Sequence, residues 1–136
     1  MITYEELSLD WIVDIIKGNE EDFSKARALS MLDNNIRVYA NILGRYYQEY
    51  YNFGLDFLNY YNSKDHSMLR MLVHKIKGVS LNLGSKRLYD LVLKLEKKIV
   101  RKSVALEEIH LFINYHNRIL KYCKEMQEEC LKILMN

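Results

Sequence analysis

The sequence of 136 residues contains no proline and only five glycines, so few residues interrupt helices or form tight hairpin turns. This scarcity argues against a β-sandwich, a collagen-like repeat and a proline-rich linker. Disorder requires low hydrophobicity with high net charge, whereas here 49% of residues are hydrophobic and the net charge is +2. The composition therefore predicts a folded, helical chain with a substantial core.

Cysteines and long apolar runs are also scarce. The two cysteines, Cys123 and Cys130, lie about 10 Å apart if their segment is helical, which is too far for a disulfide. Free thiols are typical of a reducing compartment. No apolar stretch approaches the roughly 18 residues of a membrane span, and the N-terminus lacks the basic start and apolar run of a signal peptide. We therefore expect a cytoplasmic protein that does not enter a membrane.

The small net charge hides an uneven distribution. The segment 70–102 contains ten basic residues and only two acidic ones, Asp90 and Glu96, so the rest of the chain is acidic on balance. A strongly positive segment favours an acidic partner or an anionic ligand, and a solvated helix face is the alternative.

Apolar residues recur at spacings of three and four along most of the chain, which predicts helices. A capping box at Thr3 and Glu6 opens the first helix, and Gly18 ends it. The remaining predicted helices run from about 19 to 32, from 36 to about 62, from 66 to 83, from 85 to 101 and from Ser103 onward. The cap candidates are Asn19, Ser63, Asp65 and Ser85, and Gly84 is the predicted break before Ser85.

Long amphipathic helices with short connections favour an all-α fold, an antiparallel up-and-down four-helix bundle. Residues 33–136 would form this bundle. Residues 1–32 would be an N-terminal extension of one or two helices, carrying the single Trp11 and packing across one end or side of it.

The segment around His74 carries the most information about function. At about 100° per residue, Leu72, Ile76 and Leu83 fall on the side of the helix opposite His74, so the imidazole points to solvent. The residues that share its outer face are Ser67, Arg70, Met71, Lys77, Gly78 and Leu81.

A solvated surface histidine is the alternative, but Gly78 argues against it. A glycine inside a helix costs about 1 kcal/mol relative to alanine, and here it clears the surface beside the imidazole for a partner. Met71 and Leu81 add a small apolar patch of the kind found at docking sites.

Glu96 is the predicted partner of this histidine. If the helices on either side of Ser85 form an antiparallel hairpin, His74 and Glu96 are each eleven residues from the turn and lie at one height. A carboxylate that accepts from Nδ1–H fixes the tautomer and leaves the Nε2 lone pair facing solvent. Lys77 would then balance the charge of an arriving phosphoryl group.

These residues resemble the signature of histidine phosphotransfer (HPt) domains of two-component phosphorelays. The motif H-x-x-K-G at 74–78 is followed by a small residue, Ser80, and by Leu83 and Gly84. The resemblance extends over roughly 31–128. It includes the following residues: Leu32, Val38, Tyr39, Ile42, Leu43, Tyr46, Asp65, Leu88, Leu95 and Glu96.

The resemblance implies a four-helix bundle in which His74 Nε2 accepts a phosphoryl group from a receiver-domain aspartate, or an upstream kinase, and relays it to another receiver. Lys77 is similar to the lysine that steadies the phosphate, and Glu96 to a residue that orients the imidazole. Ser67, Arg70, Met71, Gly78 and Leu81 would form the docking surface. The partners implied are response-regulator receiver domains and a sensor or hybrid histidine kinase. The protein would be a monomer without cofactor or kinase activity, and the receiver would supply Mg²⁺.

Several alternatives remain. The chain could be a non-catalytic helical module that docks receiver or kinase domains without transfer. Glu107 and His110 have the E-x-x-H spacing of di-iron bundles, but no second such pair exists, so we expect no metal. Six tyrosines at 46–61 could stack on bases, but basic residues are sparse there and we expect no nucleic acid. We expect His66, His110 and His116 at the surface or at the edge of the core.

Overall fold

The computed structural model describes residues 8–17 and 22–136, and within these ranges all regular structure is helical. The prediction of an all-α protein is therefore confirmed. The predicted capping box at Thr3 and Glu6 and the predicted stop at Gly18 lie outside the described residues. The helices are α1 (Asp10–Ile16), α2 (Lys25–Met31), α3 (Ile36–Tyr50), α4 (Phe53–Asn62), α5 (His66–Leu83), α6 (Lys86–Val100) and α7 (Leu106–Met135).

Polar caps start three of these helices, and the sequence predicts two of them, Asp65 and Ser85. The side chains of Asn35, Asp65 and Ser85 each accept a hydrogen bond from the backbone N–H three residues later, at 3.0 to 3.1 Å. Gly84 ends α5 in the left-handed region, with φ of 93°. A Cβ at this position would also lie 2.6 Å from the carbonyl oxygen of Ser24, so the turn requires glycine.

The helices pack in two long pairs around one apolar core. α3 lies along α7, and α5 lies along α6. α4 contacts α5 and α7, and α3 also contacts α5. The core consists of the inward-facing apolar residues of these helices, among them Leu43, Leu69, Ile76, Leu95 and Ile119. The α5–α6 pair is the antiparallel hairpin that positions His74.

The helix predicted from 36 to about 62 is interrupted, and this prediction is wrong. Two helices replace it, with a turn at Tyr51 and Asn52. Directly after the turn, the ring of Phe53 stacks on that of Phe57 with 4.9 Å between the centroids, and both rings are buried. Gly54 lies so close to α7 that a Cβ there would sit 2.9 Å from Ile113. The spacing of three and four runs through the turn unchanged, so periodicity could not reveal it.

The start of the last helix also differs from the prediction. α7 begins at Leu106 and not at Ser103. The backbone of Lys102, with a φ of 57°, ends the preceding segment. The hydroxyl of Ser103 donates to the carbonyl oxygen of Lys98, 3.3 Å away, at the end of α6. A Glu108 oxygen instead accepts from the backbone N–H of Ala105 at 2.8 Å.

The N-terminal helices pack on the rest of the chain. α1 contacts α6 and α7, and α2 contacts α3 and α5. Trp11 Nε1–H donates to the buried carboxylate of Glu108 at 2.6 Å, and the ammonium of Lys98 lies 2.7 Å from the same oxygen. The lysine also lies over the indole, 5.7 Å from the ring centroid. α1 therefore packs through Trp11 against a buried ion pair.

In the segment before α2, residues 19–21 of the helix start predicted at 19–22 lie outside the described residues, and α2 begins at Lys25. Ser24 caps α2, and Asp22 instead forms ion pairs with Arg87 of α6 and with Arg118 of α7, the latter at 2.6 Å. Phe23 stacks on Tyr122 at 3.6 Å. These contacts connect the segment to α6 and α7.

His116 is fully buried, which corrects the expectation that it lies at the surface or at the edge of the core. Its Nε2 is 2.6 Å from the hydroxyl of Tyr46, and the ring packs against Phe53 at 4.4 Å. The burial of His116 had a signal in the sequence, because His116 comes four residues after Phe112, which is buried, and so shares its helix face. Burial lowers the pKa of the His116 imidazole to about 3, so it is neutral.

This burial predicts a pH-dependent stability. In the unfolded chain an imidazole has a pKa of about 6.5, whereas folded His116 has a pKa of about 3. Between these two values only the unfolded chain binds the proton, so the free energy of unfolding falls as the pH drops through this window. From pH 7 to 5 the loss from this group is about 2 kcal/mol. Urea unfolding of His116→Gln should show a smaller pH dependence by that amount. An equal pH dependence in both proteins would contradict the assignment.

Candidate functional site

His74 lies in the middle of α5 and faces solvent. Val73 and Ile76 on either side of it are completely buried, which fixes the rotation of the helix. The His74 side chain is 65% exposed. The amphipathic pattern thus places the imidazole on the open face of the α5–α6 hairpin.

Glu96 of α6 holds this imidazole. Its Oε2 lies 2.8 Å from His74 Nδ1, the contact that the equal spacing from the turn predicts. The Glu96 side chain is only 13% exposed, because it follows the buried Leu95 at the helix interface. The carboxylate therefore approaches the imidazole from the protein side and leaves the far edge of the ring open.

The ionisation of Glu96 determines which ring nitrogen carries the proton. Partial burial acts to raise the pKa of the Glu96 carboxyl, but hydrogen bonds from Lys77 and His74 outweigh it and the pKa is lowered. The carboxylate is therefore an acceptor, and Nδ1 must donate to it. In the neutral imidazole the lone pair then resides on Nε2.

Lys77 contacts the same carboxylate. Its Nζ donates to Oε1 of Glu96 at 2.8 Å, one helical turn beyond His74. The lysine side chain is 21% exposed. The sequence places Lys77 beside the imidazole but does not reveal this ion pair, because the pattern shows the face of a residue and not its bonding partner.

Gly78 leaves open space next to the imidazole. A Cβ built at this position has no atom within 4 Å other than its own helix backbone and chain neighbours. No close packing within the described residues therefore requires glycine, and its helix-weakening effect has no compensation from the fold.

The predicted docking residues divide into two groups. Ser67, Arg70 and Met71 are exposed, and with His74 and Lys75 they line a shallow depression. Leu81 is half-buried and lies outside this depression. Lys75 was not predicted here, although its place next to His74 was a signal.

The positive charge of segment 70–102 is smaller at the surface than in the sequence. Three of its ten basic residues are paired with carboxylates that are buried or only partly exposed: Lys77 with Glu96, Arg87 with Asp22, and Lys98 with Glu108. Six others are exposed in addition to Arg70, and they are Lys75, Lys86, Lys94, Lys97, Arg101 and Lys102. Of the exposed cations, Arg70 and Lys75 lie beside His74 in the depression.

The remaining predictions concern the two cysteines, a metal site and a membrane span. Cys123 and Cys130 are free and buried. Across residues 8–17 and 22–136, no group of three or more His, Cys, Asp or Glu side chains is arranged to hold a metal ion, so the Glu107 and His110 pair stands alone. In the same part of the chain, no helix combines the length and apolar character needed to cross a membrane.

Comparisons with known proteins add no family assignment. No protein-family model, curated protein or solved structure matches the chain. The functional argument therefore rests on the residues around His74.

Proposed function

We propose that the chain is a histidine phosphotransfer protein of a cytoplasmic phosphorelay. In this proposal α3 with α4, α5, α6 and α7 correspond to the four helices of an up-and-down bundle. The observation that carries the proposal is the exposed His74, whose Nδ1 is bonded to the Glu96 carboxylate while its Nε2 is left open, with Lys77 and Gly78 on the next turn. This arrangement suits a nucleophile that meets another protein.

The proposed reaction is a transfer between two carriers. The Nε2 lone pair of His74 attacks phosphorus on a receiver aspartate, the P–O bond breaks, and the aspartate leaves as a carboxylate with the electron pair. The ring keeps its Nδ1 proton, and its new positive charge faces Glu96. The reverse attack by a second aspartate returns the ring to neutrality. Mg²⁺, held by the receiver, would stabilise the aspartyl phosphate chemistry.

The partners proposed are receiver domains and the sensor or hybrid kinase that phosphorylates them. Receiver active sites are acidic, and the exposed cations near His74 would steer such a surface towards it. Met71 supplies an exposed apolar contact next to the imidazole. The protein would act as a monomer.

Phosphotransfer profiling tests this function. The protein is mixed with each phosphorylated receiver domain of its source genome, and the transfer of label is followed over time. We expect rapid transfer from one or a few receivers. The label on the protein should be held by a P–N bond, which is labile in acid and stable in base. A receiver that binds the protein yet keeps its label would favour the alternative of a non-catalytic interaction module.

Gly78 provides a test of docking. Gly78→Gln is expected to raise helix stability by about 0.5 to 1 kcal/mol, because glutamine is a better helix former and meets no neighbouring atom at its Cβ. Transfer from the receiver should slow by about tenfold, since the long side chain occupies the approach to His74. Phosphoramidate, a small donor that needs no docking, should phosphorylate the variant at the wild-type rate. Unchanged transfer from the receiver would contradict the role given to Gly78.

A further inference from the structure

Both oxygens of the Glu96 carboxylate are occupied in the unphosphorylated protein. Oε2 accepts from His74 Nδ1 at 2.8 Å, and Oε1 accepts from Lys77 Nζ at 2.8 Å. Lys77, the cation that the proposed function assigns to the phosphoryl group, is therefore already bound to an anion. Glu96 therefore both orients the imidazole and binds the lysine.

The charges in the site change when His74 is phosphorylated. The nucleophilic form of His74 is the neutral imidazole, and in this form the charges of Lys77 and Glu96 cancel. Formation of the Nε2–P bond with retention of the Nδ1 proton makes the ring a cation and adds a dianionic phosphoryl group. Two cations and two anionic groups then lie together in the site between α5 and α6. Exposed Arg70 and Lys75 also line the depression at His74. Lys77 differs from them because it shares the Glu96 carboxylate with the imidazole and must leave it to reach the phosphoryl group.

We propose that Lys77 exchanges partners during the reaction, from the Glu96 carboxylate in the resting protein to the phosphoryl group on His74, so that Glu96 reduces how strongly the lysine stabilises phosphohistidine. This inference rests on the proposed function. Lys77 is partly exposed and has a flexible stem one turn from His74, so its ammonium can move while the helix stays in place.

The exchange has a thermodynamic consequence. Lys77 favours phosphohistidine only by the difference between its attraction to the phosphoryl group and its attraction to Glu96. A lysine without an anionic partner in the resting state would favour phosphohistidine more strongly. By competing for the lysine, Glu96 reduces the stabilisation that Lys77 gives to phosphohistidine, which suits a carrier that must both accept and donate.

A double-mutant cycle measures this competition. Wild type, Lys77→Met, Glu96→Gln and the double variant are incubated with phosphoramidate at fixed ammonium concentration. Nε2 attacks phosphorus, the P–N bond of the donor breaks, and ammonia leaves with the electron pair. The readout is the ratio of phosphorylated to unphosphorylated protein at the plateau. In Glu96→Gln the amide oxygen still accepts from Nδ1–H, so the imidazole stays oriented.

We expect Lys77→Met to lower the plateau ratio by about threefold in the wild-type background and by about tenfold in the Glu96→Gln background, in keeping with a partly exposed ion pair. Lys121→Met, which removes an exposed cation from α7, is the charge-matched control and should leave the ratio unchanged.

Equal effects of Lys77→Met in the two backgrounds, or no effect in either, would overturn the exchange while leaving the proposed function intact. A wild-type protein that takes no phosphoryl group from phosphoramidate or from any receiver would overturn both. The two failures are therefore distinguishable.

Discussion

Replacing His74 with glutamine is expected to reduce labelling of the protein by a phosphorylated receiver to below detection. The glutamine amide nitrogen has no available lone pair, so no P–N bond can form at this position. The side chain is exposed, and its amide can still donate to the Glu96 carboxylate, so the helix pair should stay folded. The measurement is transfer of radioactive phosphate followed by gel analysis, with circular dichroism to verify the fold.

His110→Gln is the matched control for this experiment, because His110 is also an exposed histidine on a helix but lies on α7. It should be labelled like the wild type. Retention of label by His74→Gln, or loss of label in His110→Gln, would contradict the assignment of the phosphoryl acceptor.

The second large effect concerns the buried ion pair beneath α1. Lys98→Met is expected to destabilise the protein by about 3 kcal/mol, because it leaves the Glu108 carboxylate, 1% exposed, without its cation. The indole N–H of Trp11 and the backbone N–H of Ala105 remain as donors but carry no net charge. The free energy of unfolding, measured by urea titration at pH 7, gives the loss.

Two further variants isolate the cause of this loss. Adding Glu108→Gln to Lys98→Met removes the unpaired charge and should recover much of the stability, since the amide oxygen still accepts from Trp11. Lys97→Met removes an exposed cation next in the chain and should change stability by less than about 0.5 kcal/mol. A loss below about 1 kcal/mol in Lys98→Met would show that the pair does not hold α1 as described.

The contact between His74 and Glu96 could be predicted from the sequence because it depends on two regular quantities, the helical repeat and the distance of each residue from the turn at Ser85. The pairing of Lys77 with Glu96 could not, because Lys77 shares a helix face with several possible partners and its flexible side chain reaches any of them. The face of a residue follows from periodicity, whereas its bonding partner depends on tertiary packing.

Other differences have the same origin. The turn at Tyr51 and Asn52 arises from the packing of Phe53 and from the approach of Gly54 to α7, which leave the apolar spacing unchanged. His116 is polar by composition yet buried, because the hydroxyl of Tyr46 satisfies its Nε2 across the core. Such pairs join residues distant in sequence, so local patterns carry little information about them.

The most direct test of the central claim is site-resolved tandem mass spectrometry of the wild-type protein after transfer from a phosphorylated receiver, performed at alkaline pH where a P–N bond survives. The account predicts one added phosphoryl group, on His74. A phosphoryl group on another residue, or none on the protein while the receiver remains bound, would contradict it.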